Sequence, residues 1–412
     1  MPHNTSKCRL CGGQNLEKVF SLANQALTGV FPRSRQEQIT SGPLDLVRCA
    51  KPGGCGLVQL LQSYDTAEMY GLNYGYRSGL NPSMVRHLRA KVQAILDMDI
   101  LRDGDIVVDI GSNDATTLRC YPEGRYSLVG IDPTGVKLAD CYPPSIRLIP
   151  DFFSAQVVAA ALAGAKARVI TSFSMFYDLE EPLEFAREIA ASLHDEGVWV
   201  CEQSYLPAML RTNSFDTICH EHLEFYALEQ IAWLMPRAGL KLLDVEFNGV
   251  NGGSFSFVAA RASSAMPVQA ARIEAALQGE RVMNLSGPAV FVQFGQRVAS
   301  AREGLMKFLE QARSDGKRVC GLGASTKGNV LLQHFGIDER LVSEIGEVNS
   351  DKFGAYTPGS RIPMVPEDQM LASRPDYLLV LPWHFRDFFV ANPKFKGHTL
   401  VFPLPALEIV RP

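Results

Sequence analysis

The chain has 412 residues, 46% of them hydrophobic and 20% charged, a balance that supports two or three buried cores and excludes global disorder. A net charge of -4 and a pI near 6.1 lack the basic excess of a nucleic-acid binder. The first residues carry no apolar signal core and no uninterrupted apolar run nears the length of a membrane span, so the expectation is a cytoplasmic protein without a membrane partner.

Four of the nine cysteines fall within the first 55 residues: "CRLC" holds Cys8 and Cys11, and "RCAKPGGCGLVQL" holds Cys49 and Cys55. Two thiolate pairs complete a tetrahedral zinc site, and the glycines beside them supply tight turns that aim backbone NH groups at sulfur. Residues 1–75 are therefore read as a module stapled by one structural zinc ion. Cys120, Cys141, Cys201 and Cys320 lack a paired spacing and are read as packing residues.

A turn-rich aromatic stretch, "TAEMYGLNYGYRSGLNP", leads into a helix whose apolar positions are Val85, Leu88, Val92 and Leu96. From "DIVVDIGSND" onward strand-like and helical runs alternate, the signature of a parallel, doubly wound sheet; this unit is taken as residues 76–250. The character changes after about residue 260, where Phe291, Phe294, Val298, Leu305 and Phe308 mark a long helix. A second alternating unit follows, with "RVCGLGAST", "YLLVLPW" and "HTLVFPLP" as strands, completing a third region, 251–412. The fold class is thus α/β, with two Rossmann-like units behind a zinc module.

In "VVDIGSNDATTL" a strand ends at Asp109, turns through Gly111 and Asn113, and enters a helix. Asp132 ends the next strand, where a carboxylate accepts from both hydroxyls of a ribose. The turn lacks G-x-G-x-x-G, which suits a cofactor without a pyrophosphate and points to S-adenosylmethionine rather than NAD. Asp151 and Phe152, in "PDFF", offer an acceptor and an apolar flank for an adenine.

"TICHEHLEFY" places Glu221 between His220 and His222. Two residues apart, the histidines diverge on a helix and share a side of an extended chain, which leaves open a metal pair or a base with a polar companion. Farther on, "GLGASTKGN" is a glycine turn whose NH groups and Lys327 suit a phosphate, although it is no Walker A motif.

Together these stretches resemble the S-adenosylmethionine-dependent C-methyltransferases of nucleotide-linked ketodeoxysugars. The resemblance spans nearly the whole chain, through "CRLCG", "CGLVQL", "DIGSNDATTL", "DTICHEHLEFYAL", "NGGSFSFV", "GLGASTKGN", "YTPGSRIP" and "PDYLLVLPWHF". It implies a central class I methyltransferase domain and a C-terminal nucleotide-sugar-binding domain, acting on a nucleotide-diphosphate ketosugar enolised by a protein base. By position, His222 is the implied base, Glu221 and His220 its polar companions, and Tyr76 a lid residue. Lys327, Asn329, Tyr356, Arg361, Trp383 and His384 are the implied substrate contacts. No metal is expected at His220 or His222.

Four departures from the family pattern stand out: Cys219 where a tyrosine is common, Asp178 in place of a histidine, Ala115 in place of a glycine and Asn251 in place of a histidine. Asp178 is a further base or orienting candidate. Methylation of a sugar oxygen and a non-catalytic nucleotide-sugar binder are the alternatives.

Overall fold

The computed structural model describes residues 3–50, 52–70 and 76–412. Part of the aromatic stretch, 71–75, lies outside them. Among the described residues no helix is long and apolar enough to cross a membrane.

The N-terminal module is an antiparallel sheet of strands Leu16–Ala26, Ser41–Cys49 and Val58–Leu60. Its last strand pairs with Glu224–Phe225, so a piece of chain from far downstream completes the module. This pairing docks the segment after His222 against the zinc module.

Helix Pro82–Asp97 begins where Asn81 Oδ1 accepts from the Ser83 and Met84 amides and Pro82 occupies the first turn. Its buried stripe is Met84, Leu88, Val92 and Ile95. Val85 and Leu96, expected on that stripe, each sit one residue off it.

The central sheet runs Leu240–Asn248, Ser254–Arg261, Leu193–Ser204, Ala167–Phe173, Ile106–Ile110, Ser127–Ile131, Ile146–Ile149. The last five in that order are parallel, as the alternation predicts. The first two form an antiparallel hairpin that the doubly wound reading omits. Its second strand pairs with Leu193–Ser204 from Val198 to Ser204, so a boundary at residue 250 falls in the hairpin turn and cuts the sheet. The physical reason is burial on both faces: Phe255, Phe257 and Ala259 enter one core and Val258 and Ala260 the other.

Helix Ala289–Ser314 buries Phe291, Phe294, Val298 and Leu305, as their spacing predicts, while Phe308 is partly buried. Phe294 meets Phe20 of the zinc module, with ring centroids 5.0 Å apart, and Phe308 meets Tyr377 of the C-terminal sheet at 5.0 Å. The C-terminal sheet orders Met364–Pro366, Ile345–Glu347, Val319–Leu322, Tyr377–Val380, Leu400–Phe402 and Glu408–Val410, the last antiparallel. Residues 217–226 lie where all three regions meet.

Candidate active site and zinc centre

The Sγ atoms of Cys8, Cys11, Cys49 and Cys55 lie within 4.8 Å of one another, with Cys8 to Cys55 at 3.6 Å and Cys11 to Cys49 at 3.5 Å. Four converging sulfurs fit a tetrahedral zinc ion. Gly54 shows why the loop needs glycine: a Cβ there would stand 2.4 Å from the Ala50 carbonyl oxygen and 2.6 Å from Cys49 Sγ.

A cavity of 230 Å³ opens at the carboxyl ends of the central parallel strands. Asp109, Gly111, Asn113 and Asp132 all line it, with Phe152 at one end. Gly111 has φ +69, and a Cβ there would press on Met175 Cγ at 3.1 Å, which explains the glycine. Asp132 organises the turn: Oδ2 accepts from the Asn113 amide at 2.7 Å, and Oδ1 from the Thr134 amide and hydroxyl at 2.7 and 2.6 Å. Asn113 in turn holds the incoming chain, its Nδ2 donating to the Tyr76 carbonyl and its Oδ1 accepting from the Ser78 amide. Tyr76 itself lines the cavity and is 49% exposed, a position suited to a lid. Ala115, where related enzymes have glycine, takes φ +60 and keeps the left-handed turn with a side chain that disfavours it.

The cavity's charges discriminate between ligands. Asp109, Asp132, Asp178 and Glu202 line it, and its described lining contains no Lys or Arg. Burial pushes Asp109 up to about 7 against the opposing hydrogen bonds of Thr171 and Thr117. A lining without Lys or Arg accommodates the sulfonium and ammonium groups of S-adenosylmethionine and disfavours a pyrophosphate. Asp151 is exposed beside Phe152 and is not part of the cavity lining, and its Oδ1 accepts from the Phe152 amide at 2.7 Å.

The His-Glu-His segment is neither helix nor strand. The His222 amide donates to the Cys219 carbonyl at 3.2 Å, closing a turn that sends the two histidines to different neighbours. His220, 0% exposed, donates from Nε2 to the Gln25 carbonyl at 3.1 Å and packs edge-on against Tyr64. It anchors the zinc module and is not a companion of the base. His222 donates from Nδ1 to the Thr217 carbonyl at 2.7 Å, which leaves the Nε2 lone pair as the proton acceptor. Its ring lies 4.3 Å from that of Tyr177, in the same short turn as the cavity-lining Asp178. Burial holds both histidines down at about 4.

Around His222 the polar groups are buried. Burial raises Glu221 above the usual carboxyl range, and among the described residues its Oε2 has no hydrogen-bond partner. Cys219 is a buried thiol pushed up by burial and by the adjacent Glu221 and Asp178 charges. Lys327 donates to the Asn251 carbonyl, and Trp383 Nε1 donates to Asp216 Oδ2 at 2.7 Å. Asp216 Oδ1 and His384 Nδ1 are buried without a hydrogen-bond partner among the described residues, so this cluster retains capacity for a ligand.

Of the expected substrate contacts, Asn329 stays beside Lys327, while Tyr356 and Arg361 lie elsewhere. Asn329 is fully buried, and its Nδ2 donates to the Thr28 carbonyl at 2.8 Å, tying the C-terminal domain to the zinc module. Lys327 opens helix Thr326–Phe335, about 15 Å long. Arg361 instead lines a surface groove with Gly336 and Asp338, just past that helix's far end, and its Nη2 donates to the Glu37 carbonyl. Tyr356 packs under Arg35, which pairs with Glu339 of the same groove. The glycine turn is also partly occupied, since Glu347 Oε2 accepts from the Ala324 amide at 3.1 Å.

The cavity includes residues that sequence reading did not select: Ser78, Met84, His87, Phe173 and Glu202. His87 does carry a local signal, being four residues before Lys91 on one helix face.

Comparison with known proteins accords with this architecture. Residues 8–70 match a zinc binding domain, 76–245 a "Methyltransferase domain", and 249–405 a "C-methyltransferase C-terminal domain". The chain is 29% identical over 410 residues to "C-methyltransferase NovU" from Streptomyces niveus, covering 98% of this chain and 96% of that protein. Among solved structures, the CcbJ methyltransferase of Streptomyces caelestis aligns at 13% identity and TM-score 0.33, covering 42% of this chain and 89% of the other. A Clostridium acetobutylicum S-adenosylmethionine-dependent methyltransferase aligns at 9% and 0.34, covering 42% and 90%. With its cysteine cluster and three matched regions, the chain is an S-adenosylmethionine-dependent methyltransferase whose N-terminal region matches a zinc-binding domain and whose C-terminal region matches the C-terminal domain of C-methyltransferases.

Proposed function

We propose that the protein methylates a carbon atom of a nucleotide-diphosphate ketosugar, in the synthesis of branched deoxysugars or surface polysaccharides. The supporting observation is the arrangement around His222: an imidazole held neutral by burial, with Nδ1 fixed by the Thr217 carbonyl and Nε2 left as the proton acceptor. Bound S-adenosylmethionine supplies the electrophilic methyl group. His222 Nε2 removes the proton alpha to the sugar carbonyl, with Glu221, whose carboxyl burial shifts toward the neutral form, as its polar companion. Asp178 bridges base and cofactor cavity, and Tyr76 covers the cavity mouth. Lys327, Trp383 and His384 hold the nucleotide side of the substrate, with Asp216 orienting Trp383. In this reading the zinc module, residues 1–75, is structural, residues 76–250 with the hairpin hold cofactor, and the C-terminal region holds the nucleotide.

The test combines product and cofactor binding. With nucleotide-linked 4-ketosugars and methyl-labelled cofactor, NMR of the product is expected to show a new methyl on carbon. A methyl on oxygen supports O-methylation instead, and cofactor binding without turnover on any ketosugar counts against the sugar. Asp132→Ala is expected to weaken S-adenosylmethionine binding by about 10- to 100-fold in calorimetry, the range for losing hydrogen bonds to a charged group. Unchanged affinity would move the cofactor elsewhere.

A further inference from the structure

The end of the cavity farthest from Phe152 holds a buried polar pair that the reaction above does not use. Successive strands lie about 4.8 Å apart, so Glu202, ending Leu193–Ser204, stands four strand steps, roughly 19 Å, from Phe152 beyond Ile146–Ile149. Asp132 stands between them, three steps from Glu202. With the nucleoside at Asp132 and the adenine at Phe152, the Glu202 end receives the methyl acceptor.

Glu202 is 4% exposed, and both its oxygens are engaged. Oε1 accepts from His87 Nε2 at 2.5 Å, while Oε2 accepts from Lys91 Nζ at 3.0 Å and Asn248 Nδ2 at 2.8 Å. The carboxylate is therefore balanced by Lys91 and committed as a holder, not a base. Glu246, 3.8 Å from Lys91, is the other charge in this group. With Nε2 held on Glu202 the His87 ring is fixed, and among the described residues Nδ1 has no hydrogen-bond partner. The neighbouring cavity walls, Met84, Leu88 and Phe173, are apolar.

A structural role accounts poorly for this arrangement. Helix Pro82–Asp97 is already fastened by Leu88, Val92 and Ile95, and burying an ion pair beside them adds little net stability. What the pair does provide is one fixed ring nitrogen in an apolar wall.

We propose that His87, oriented by Glu202, binds a ring hydroxyl of the methyl acceptor and so selects which carbon faces the methyl group. This subsite rests on the reading of the acceptor as a hydroxylated sugar. A single fixed ring nitrogen of this kind discriminates against substrates lacking the hydroxyl, because its hydrogen bond is then lost.

The experiment measures KM and kcat of wild type, His87→Ala and His87→Asn on a nucleotide-linked 4-ketosugar and on analogues each lacking one ring hydroxyl, with S-adenosylhomocysteine titrated in parallel. The expected result is a KM raised about tenfold or more in the variants, with cofactor-product affinity within about twofold of wild type. One deoxy analogue costs the wild type a similar factor and costs the variants nothing further. Equal discrimination by wild type and variants overturns the subsite while leaving the sugar reading standing. A tenfold loss of S-adenosylhomocysteine affinity assigns the pair to the cofactor and also overturns it. Wild type that binds cofactor but acts on no ketosugar overturns the sugar reading and the subsite with it. Should the alanine variant fail to fold, the asparagine variant carries the comparison.

Discussion

His222→Ala is expected to lower methyl transfer by about 10²- to 10⁴-fold, the usual contribution of a positioned general base. Cofactor affinity and zinc content should stay at wild-type values, since His222 lines neither the cofactor cavity nor the cysteine cluster. The Thr217 carbonyl fixes the tautomer, so a substitute that keeps only bulk does not restore the lone pair. Burial holds the folded imidazole at about 4, below the unfolded value near 6.5. The base is then already neutral through the whole range above pH 5, and the acid limb of kcat set by His222 lies near pH 4. The same depression works on stability. His220 and His222 bind protons more readily in the unfolded chain, so their contribution is full above pH 6.5 and falls as pH drops from 6.5 toward 4. Rate profiles and thermal melts across pH 4 to 8 check both effects. An acid limb near 6.5 that vanishes in His222→Ala contradicts the buried neutral base.

Cys49→Ser is expected to strip zinc and reduce activity at least about 100-fold while leaving S-adenosylmethionine binding largely intact. A structural zinc site contributes about 10–16 kcal/mol in small modules, more than such a module's core supplies alone. The consequence reaches the active segment through backbone pairing. The Leu60 amide donates to the Leu223 carbonyl at 2.8 Å, Glu224 and Phe225 pair with Gln59 and Val58, and His220 donates to Gln25. Once the module loosens, the turn bearing Glu221 and His222 loses its support, whereas Asp109, Gly111 and Asp132 sit on the central sheet. Metal analysis, activity and calorimetry on one preparation check this chain. Full activity in a zinc-free, folded variant contradicts it.

The parts legible in sequence are those whose chemistry is local. Cys8 and Cys11 form half a zinc site within four residues, and the Asp109-Gly111-Asp132 series spans two adjacent strands of one crossover, so its geometry follows from the parallel sheet. The His-Glu-His spacing misled because alternation assumes a regular element, and this segment is a turn whose histidines are claimed by different domains. Arg361 and Tyr356, implied with Lys327 as substrate contacts, are separated from it by the length of a ten-residue helix. The strand after residue 250 joins the preceding sheet, which periodicity does not reveal; Phe255 and Phe257 belong to the earlier core. His87 and Glu202, 115 positions apart, meet only through the packing of a helix across the sheet.

The most direct test of the central claim is deuterium wash-in. Wild-type protein, a nucleotide-linked 4-ketosugar and S-adenosylhomocysteine are incubated in D₂O, and the sugar carbons are followed by NMR. Exchange at the carbon alpha to the carbonyl, abolished in His222→Ala, is the predicted result. Methyl transfer by wild type to the same sugar with no exchange at that carbon contradicts an enolate formed by His222.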